Sequence, residues 1–222
     1  VERSRGLGDV YKRQVVDGAV RVPGGGSRAA EAQGIVLIHQ EFNLADDLTI
    51  AQNIFLGHEI KRGPFLDDKA MREKTRAALA QVGLPLDPDT RVRKLIVAEK
   101  QLVEIARALA RNARLLIMDE PTATLTPGET ERLFALMAGL KAAGVTIIYI
   151  SHKLDEVERT TDEVVVMRDG LLVAREATAS VTRRQMANLM VGRELADLFP
   201  PKLPAPAGGE PAIQVRGLTV PG

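Results

Sequence analysis

The chain has 222 residues, of which 45% are hydrophobic, with 30 Lys and Arg against 29 Asp and Glu and no cysteine. This near-neutral balance and an aromatic content of 3% argue against a nucleic-acid-binding protein, which concentrates basic charge or stacking rings. The lack of cysteine excludes a disulfide framework and a thiolate metal site, and no apolar run approaches the roughly 20 residues that span a bilayer.

The N-terminal third contains few strong patterns. Residues 1–14 have no clear periodicity and are left unassigned, either as a truncation or assembly artefact or as an ordinary unstructured terminus. Residues 15–33 have strand and turn character, with a loop at Gly24-Gly25-Gly26. Residues 34–39 predict a short strand, and residues 41–66 predict a mixture of loop and short helix.

The middle of the chain alternates helical and strand patterns. Apolar spacing and capping signals predict, in order, helix 69–82 with Asp67 or Asp68 as its cap, helix 98–111, strand 115–119, helix 127–142, strand 145–150 and helix 153–159.

The C-terminal part begins with a hairpin. Asp169-Gly170 predicts a tight turn between strands 164–167 and 171–174, and a further helix covers 182–191. The proline-rich stretch 193–211 predicts a linker, after which 212–222 resembles the opening of a second domain.

Two adjacent carboxylates, Asp119 and Glu120, end an apolar strand and precede Pro121. Open α/β sheets bind ligands at the carboxyl ends of their strands. A nucleoside triphosphatase needs one carboxylate to hold Mg²⁺ and a second group to orient or deprotonate the attacking water. Neighbouring side chains at a strand end point opposite ways, so each can take one of these roles; alternatively, the pair only caps a turn.

Several motifs occur in an order that resembles the nucleotide-binding domain of ABC transporters. They are Gln40-Glu41-Phe42-Asn43-Leu44, the helical segment 99–109, Leu115 to Thr122, and Ser151-His152. The resemblance covers about residues 34–199. It implies an α/β fold, a P-loop NTPase-like ABC ATPase domain over 15–192 that is truncated at its N-terminus, with a helical subdomain at about 67–112.

The resemblance also implies roles for individual residues. Asp119 matches the Walker B aspartate and Glu120 the catalytic base, while His152 matches the switch histidine that contacts the γ-phosphate. Gln40 matches the Q-loop glutamine, so Gln40 and Asp119 are the expected Mg²⁺ ligands, and ATP and Mg²⁺ are the expected cofactors. His39 and His58 match no such position.

The signature loop departs from the family pattern L-S-G-G-Q. The matching residues, which the resemblance assigns to nucleotide binding, are Leu95, Ile96, Val97, Ala98 and Glu99. The family serine caps the helix and reaches the γ-phosphate of the facing nucleotide, and Ile96 can do neither. Because the helix N-terminus still offers backbone N–H groups, we expect this contact to be weakened rather than abolished.

The 222 residues contain no G-x-x-x-x-G-K-[ST] phosphate loop, and no Lys-Ser or Lys-Thr follows Gly24-Gly25-Gly26. We therefore expect a fragment of the first nucleotide-binding half of a longer protein. We also expect this polypeptide alone not to turn over ATP.

Further strings, 53–57 and 190–194, resemble the monosaccharide importers, in which two ATPase halves are fused. The resemblance implies ATP-driven uptake of a ribose-, xylose- or galactose-type sugar at the cytoplasmic face of the plasma membrane. The implied partners are transmembrane permease subunits, the second ATPase half and, indirectly, a periplasmic sugar-binding protein; no nucleic acid is expected.

Two other readings stay open. A soluble ABC ATPase acting on ribosomes or DNA would often carry basic arms or long coiled-coil inserts, and the net charge here is only +1. A non-catalytic regulatory module would explain Ile96 and the missing phosphate loop. The presence of Gln40, Asp119, Glu120 and His152 in order argues against it.

Overall fold

A computed structural model describes residues 14–16, 19–21 and 26–192. The predictions for residues 1–13, for Gly24 and Gly25, for the linker 193–211 and for the segment 212–222 lie outside these described residues. The chain divides into two compact units, Val1–Asp162 and Glu163–Gly222. The domain boundaries given above stay a prediction.

The first unit contains most of the secondary structure. Its elements are β1 (Gln14–Val16), β2 (Ala19–Arg21), α1 (Gly26–Ala32), β3 (Ile35–Ile38), α2 (Ile50–Phe55), β4 (Lys61–Arg62), β5 (Phe65–Leu66), α3 (Asp68–Gln81), a 3₁₀ turn (Val92–Lys94), α4 (Val97–Ala110), β6 (Leu115–Asp119), α5 (Pro127–Ala142), β7 (Thr146–Ile150) and α6 (Leu154–Thr160).

A parallel sheet of three strands, in the order β3-β6-β7, forms the centre of this unit. Val36, Leu116 and Ile147 are paired across the strands and face the core, with Leu116 fully buried. The next residue of each strand points to the opposite face of the sheet. These residues are Leu37, Ile117 and Ile148, and Leu37 and Ile148 are each 45% exposed. Parallel pairing brings the carboxyl ends of all three strands to one edge of the sheet.

Three helices, α2, α3 and α4, pack against one another beside the sheet. Their apolar faces meet through buried side chains such as Ile54, Leu79 and Ile105. The Asp67 side chain accepts a hydrogen bond from the Ala70 amide and so caps α3, which confirms the predicted cap.

The second unit contains an antiparallel hairpin of β8 (Glu163–Arg168) and β9 (Leu171–Ala177), a 3₁₀ turn (Thr178–Ser180) and α7 (Arg183–Val191). Asp169 and Gly170 both have positive φ, at 53° and 75°, as the predicted tight turn requires. Met186 is fully buried and Val166 is 5% exposed, and these two provide the small apolar core of this unit.

Two features of the first unit were not predicted. Helix α1 occupies part of a segment predicted as strand and turn, and the hairpin of β4 and β5 lies in a segment predicted as loop and short helix. Both elements are short, so they leave a weak periodic signal in the sequence. Within the described part of the chain, no helix has the length and apolar character to cross a bilayer.

Candidate functional site

The polar residues singled out in the sequence follow the carboxyl ends of the three parallel strands. Gln40 lies two residues after β3, Asp119 is the last residue of β6 with Glu120 directly behind it, and His152 lies two residues after β7. Because these strand ends share one edge of the sheet, four predicted site residues lie along that edge.

Glu120 and His152 are in direct contact. Glu120 Oε1 lies 2.7 Å from His152 Nδ1 and accepts a second hydrogen bond from the His152 backbone N–H at 3.1 Å. The Glu120 N–H donates to the Ile150 carbonyl at 2.9 Å, which joins the loop after β6 to the end of β7. The structure thus fixes one carboxylate oxygen of Glu120 through the turn that carries the histidine.

The backbone of Glu120 is strained. Its φ is +48°, in the left-handed region that non-glycine residues rarely adopt, and such strain is often found at functional sites. The Glu120 side chain is 17% exposed, whereas the His152 side chain is 71% exposed. Glu120 Oε2 is buried and has no hydrogen-bond partner among the described residues, and an unsatisfied buried acceptor of this kind is rare in folded proteins.

Gln40 and Asp119 line one cavity of about 390 Å³, together with His39, Glu41, Phe42 and Asn43. Among the residues that the structure describes, no three His, Asp or Glu side chains are grouped as a metal cage. One carboxylate and one amide oxygen fit Mg²⁺, which keeps several waters and takes further ligands from a substrate phosphate. Gln40 and Asp119 lie in one cavity, as a shared Mg²⁺ site requires, and their role as ligands stays a prediction.

The loop after Gln40 is tied to helix α4. The Asn43 N–H donates to Glu104 Oε1 at 2.8 Å, and Arg107 Nη1 donates to the Asn43 carbonyl at 2.8 Å. Burial raises the pKa of Glu104, and the hydrogen bond from Asn43 opposes that shift. Sequence reasoning gave Glu104 no role; the only available signal was a charged residue within the apolar stripe of a helix.

Asn53 anchors the other end of the same loop. This fully buried amide accepts from the Ala45 N–H at 2.7 Å and donates to the carbonyls of Ala45 and Thr49, each at 3.0 Å. Both ends of the segment 43–53 are thus held by buried side-chain hydrogen bonds, which stabilise the loop that begins at Gln40.

The signature residues form the N-terminus of α4 and do not line the cavity at Asp119. Leu95 is buried, whereas Ile96 and Val97 are 60% and 42% exposed. Ile96 offers no side-chain cap, as predicted, and its N–H donates instead to Glu99 Oε2 at 2.9 Å. A carboxylate therefore occupies the N–H of the N-cap residue, and its charge opposes an approaching anion.

Comparison with known proteins identifies the family. Residues 10–123 match the sequence profile of the ABC transporter family. The chain is 46% identical over 199 residues to "Ribose import ATP-binding protein RbsA 3" of Rubrobacter xylanophilus, covering 90% of this chain and 40% of that protein. It is 45% identical to "Putative ribose/galactose/methyl galactoside import ATP-binding protein 1" of Burkholderia lata, covering 96% of this chain and 42% of that one. The chain thus spans about two fifths of the length of these relatives.

Solved structures agree on the fold. The ATP-binding cassette MJ1267 of an ABC transporter superposes with a TM-score of 0.62 at 26% identity, covering 73% of this chain and 69% of that chain. A nucleotide-free ATP-binding cassette superposes with a TM-score of 0.66 at 24% identity, covering 81% and 73% of the two chains. The predicted ABC ATPase fold class is confirmed, and the chain belongs to the ABC transporter family of ATP-binding proteins.

Proposed function

We propose that this chain is part of the ATP-hydrolysing component of a monosaccharide importer. The observation that carries the proposal is the contact between Glu120 and His152 at the same sheet edge as Asp119 and Gln40. A carboxylate held by a histidine, beside two oxygen ligands suited to Mg²⁺, supplies the general base and the metal ligands of ATP hydrolysis. The 222 residues contain no phosphate loop, so these groups are only part of a complete site.

Glu120 acts as the general base in this proposal. Its Oε1 is held by the backbone and ring of His152, which orients the carboxylate that takes the proton of the attacking water. The exposed His152 ring holds Glu120 in place through Nδ1. Only the cationic ring also has an Nε2–H that can donate to a phosphate oxygen. Gln40 and Asp119 would hold Mg²⁺, which supplies charge neutralisation on the phosphates when bound.

The relatives support the substrate class, and the family resemblance supports the partners. Proteins 45% and 46% identical to this chain are named for import of ribose, galactose or methyl galactoside, which supports a sugar as the transported solute. The proposed partners are transmembrane permease subunits, a second ABC ATPase half and, indirectly, a periplasmic sugar-binding protein. The proposed location is the cytoplasmic face of the plasma membrane, held there by the permease.

A chimera tests this function. In the Rubrobacter xylanophilus relative, the 199 aligned residues are replaced by those of this chain. We expect Mg-ATP hydrolysis by the chimera that falls at least about 100-fold in the Glu120→Gln variant, since positioned general bases contribute about 10²- to 10⁴-fold. The matched control is Glu158→Gln, which removes an exposed carboxylate from α6. Equal hydrolysis with and without the Glu120 carboxylate would contradict the proposal.

A regulatory, non-catalytic role is the second candidate, and the N-terminus of α4 favours it. Ile96 has no side-chain cap to offer, and the Glu99 carboxylate that accepts from its N–H weakens any phosphate contact there. A chimera that binds ATP, shows no hydrolysis at any ATP concentration and still supports permease assembly would favour this second function.

A further inference from the structure

We propose that Glu156 is a positioning residue, which holds the loop after Glu120 against the turn that carries His152 through a buried hydrogen-bond network. The network consists of Thr122, Tyr149, Lys153 and Glu156. The consequence for catalysis rests on the proposed function, whereas the consequence for the geometry of Glu120 and His152 does not.

The Glu156 carboxylate accepts hydrogen bonds from two side chains and forms an ion pair with a third. Thr122, in the loop after β6, donates from Oγ1 to Glu156 Oε2 at 2.7 Å. Tyr149, on β7, donates its hydroxyl to the same oxygen. Lys153, which directly follows His152, places Nζ 3.1 Å from Glu156 Oε1.

Lys153 also joins the two loops directly. Its Nζ donates to the carbonyl of Thr122 at 3.2 Å and to its hydroxyl at 3.3 Å. Thr122 lies two residues after Glu120, and Lys153 lies one residue after His152. The network therefore fixes the separation of the two backbone segments on which the Glu120–His152 contact depends.

The burial of these groups makes the network sensitive to the loss of any one member. Thr122 is fully buried and Glu156 is 6% exposed. A buried carboxylate is destabilising unless it is hydrogen-bonded and paired with a charge. Burial opposes the ionisation of Glu156, but the hydrogen bonds from Tyr149, Thr122 and Lys153 outweigh it and hold its pKa below the ordinary value.

The arrangement does more than stabilise the interior. A carboxylate that only capped α6 would be exposed and would need no partner from another element. Glu156 instead accepts from residues 34 and 7 positions earlier in the chain, on the two segments that meet at the candidate site. Removing its charge should therefore loosen Glu120 and His152 without changing either residue.

The first test measures the geometry directly on this chain. Two-dimensional NMR of the His152 ring nitrogens reports which nitrogen carries the proton in the neutral ring. We expect the hydrogen bond to Glu120 to keep the proton on Nδ1, and we expect Glu156→Gln to shift the ring toward a mixture of both tautomers. Thr122→Val should also shift the ring toward a mixture of tautomers. Thr122→Ser keeps the hydroxyl and should give the same His152 spectrum as wild type.

Two further variants serve as a milder substitution and as a control for this test. Tyr149→Phe removes one donor and leaves the carboxylate in place, so it gives a smaller shift if Glu156→Gln proves too unstable to study. Asp155→Asn removes the same charge from an exposed position on the same helix and should leave the His152 spectrum unchanged. A folded Glu156→Gln protein with an unchanged His152 tautomer would overturn the positioning role.

The second test uses the chimera described above. We expect Glu156→Gln to lower kcat about 10- to 100-fold, because small misplacements of catalytic groups have effects of that size, while KM for ATP changes little. A rise in KM with unchanged kcat would overturn the role. If the tautomer shifts as expected in this chain but the wild-type chimera does not hydrolyse ATP, the positioning role stands and the proposed function fails.

Discussion

The ring nitrogen Nδ1 of His152 lies 2.7 Å from the carboxylate oxygen Oε1 of Glu120, although the two residues are 32 positions apart in the chain. The His152 backbone N–H donates to the same oxygen, so the carboxylate bridges two groups of one residue. The backbone of Glu120 adopts a φ of +48° at this contact. The contact thus combines backbone strain with a specific partner, which is typical of a functional site.

We expect His152→Ala to lower ATP hydrolysis by the chimera at least about 100-fold, because Glu120 Oε1 then keeps only the backbone N–H and loses the ring that orients it. His58→Ala is the matched control. That histidine lies 3.3 Å from Glu31 and is not among the residues that line the cavity of Gln40 and Asp119, so its removal should leave the rate unchanged. Steady-state rates of phosphate release measure both variants; a His152→Ala rate within a few-fold of wild type would contradict the assigned role.

Much of the fold could be predicted from periodicity and capping. Helix α5 begins and ends where the sequence indicates, because Thr126 caps it, Pro127 starts it and the apolar residues recur at helical spacing. Strand β6 also matches its predicted bounds. The β4–β5 hairpin could not be predicted, because each strand has two residues and its apolar members, Phe65 and Leu66, are 75% and 53% exposed.

The candidate site was only partly predictable. Strand ends indicated Asp119 and Glu120, and the family resemblance added Gln40 and His152. The roles assigned to these four residues stay predictions. The partners of Glu156 could not be found from the sequence, since they come from separate elements and meet only through tertiary packing.

Replacing Ile96 by serine should stabilise the protein. The Ile96 N–H already donates to Glu99, so a serine at this position would complete a reciprocal capping box with the Glu99 amide. We expect the free energy of unfolding to rise by about 1 kcal/mol, the usual size of a capping contribution. Ile96→Ala removes the same exposed apolar side chain without adding a cap and should give no such rise. Urea unfolding of both variants decides the question, and equal stability of the two would contradict it.

Gly34 occupies a position that no other residue fits well. Its φ is +78°, and a Cβ atom there would lie 3.1 Å from the Asn112 carbonyl oxygen. The Gly34 carbonyl also accepts from the amides of Arg114 and Leu115, at 2.8 and 3.0 Å, at the start of the pairing between β3 and β6. We expect Gly34→Ala to lower the free energy of unfolding by about 1–3 kcal/mol.

Gly139 provides the contrasting control for that substitution. It lies on the exposed side of α5, and a Cβ atom added there would have no neighbouring heavy atom within 4 Å. Gly139→Ala should raise the free energy of unfolding by about 0.5–1 kcal/mol, because alanine favours the helix. Thermal and urea unfolding of the two variants should therefore move in opposite directions; a shared direction would argue against the strain at Gly34.

Glu104 and Glu129 should make opposite contributions to the pH dependence of stability. Burial raises the pKa of Glu104 above its ordinary 4.5, so the folded state binds this proton more tightly than the unfolded state. The stability that Glu104 adds to the folded state is fully present below about pH 4.5. This stability is lost as the pH rises through the folded-state pKa of Glu104. Hydrogen bonds from the Thr126 amide and hydroxyl lower the pKa of Glu129, so its contribution is present above about pH 4.5 and is lost as the pH falls.

Replacing Glu104 or Glu129 by glutamine removes one titrating carboxyl group and leaves the shape of the side chain unchanged. Relative to wild type, Glu104→Gln should gain stability as the pH rises from about 4.5 toward neutrality, because the variant no longer has to ionise a buried group. Glu129→Gln should lose stability relative to wild type as the pH rises from about 3 to 5, because it lacks the favourable carboxylate at the start of α5. Free energies of unfolding from urea titrations across this range measure both differences. If rising pH changed the stability of both variants relative to wild type in the same direction, burial would not govern the ionisation of Glu104.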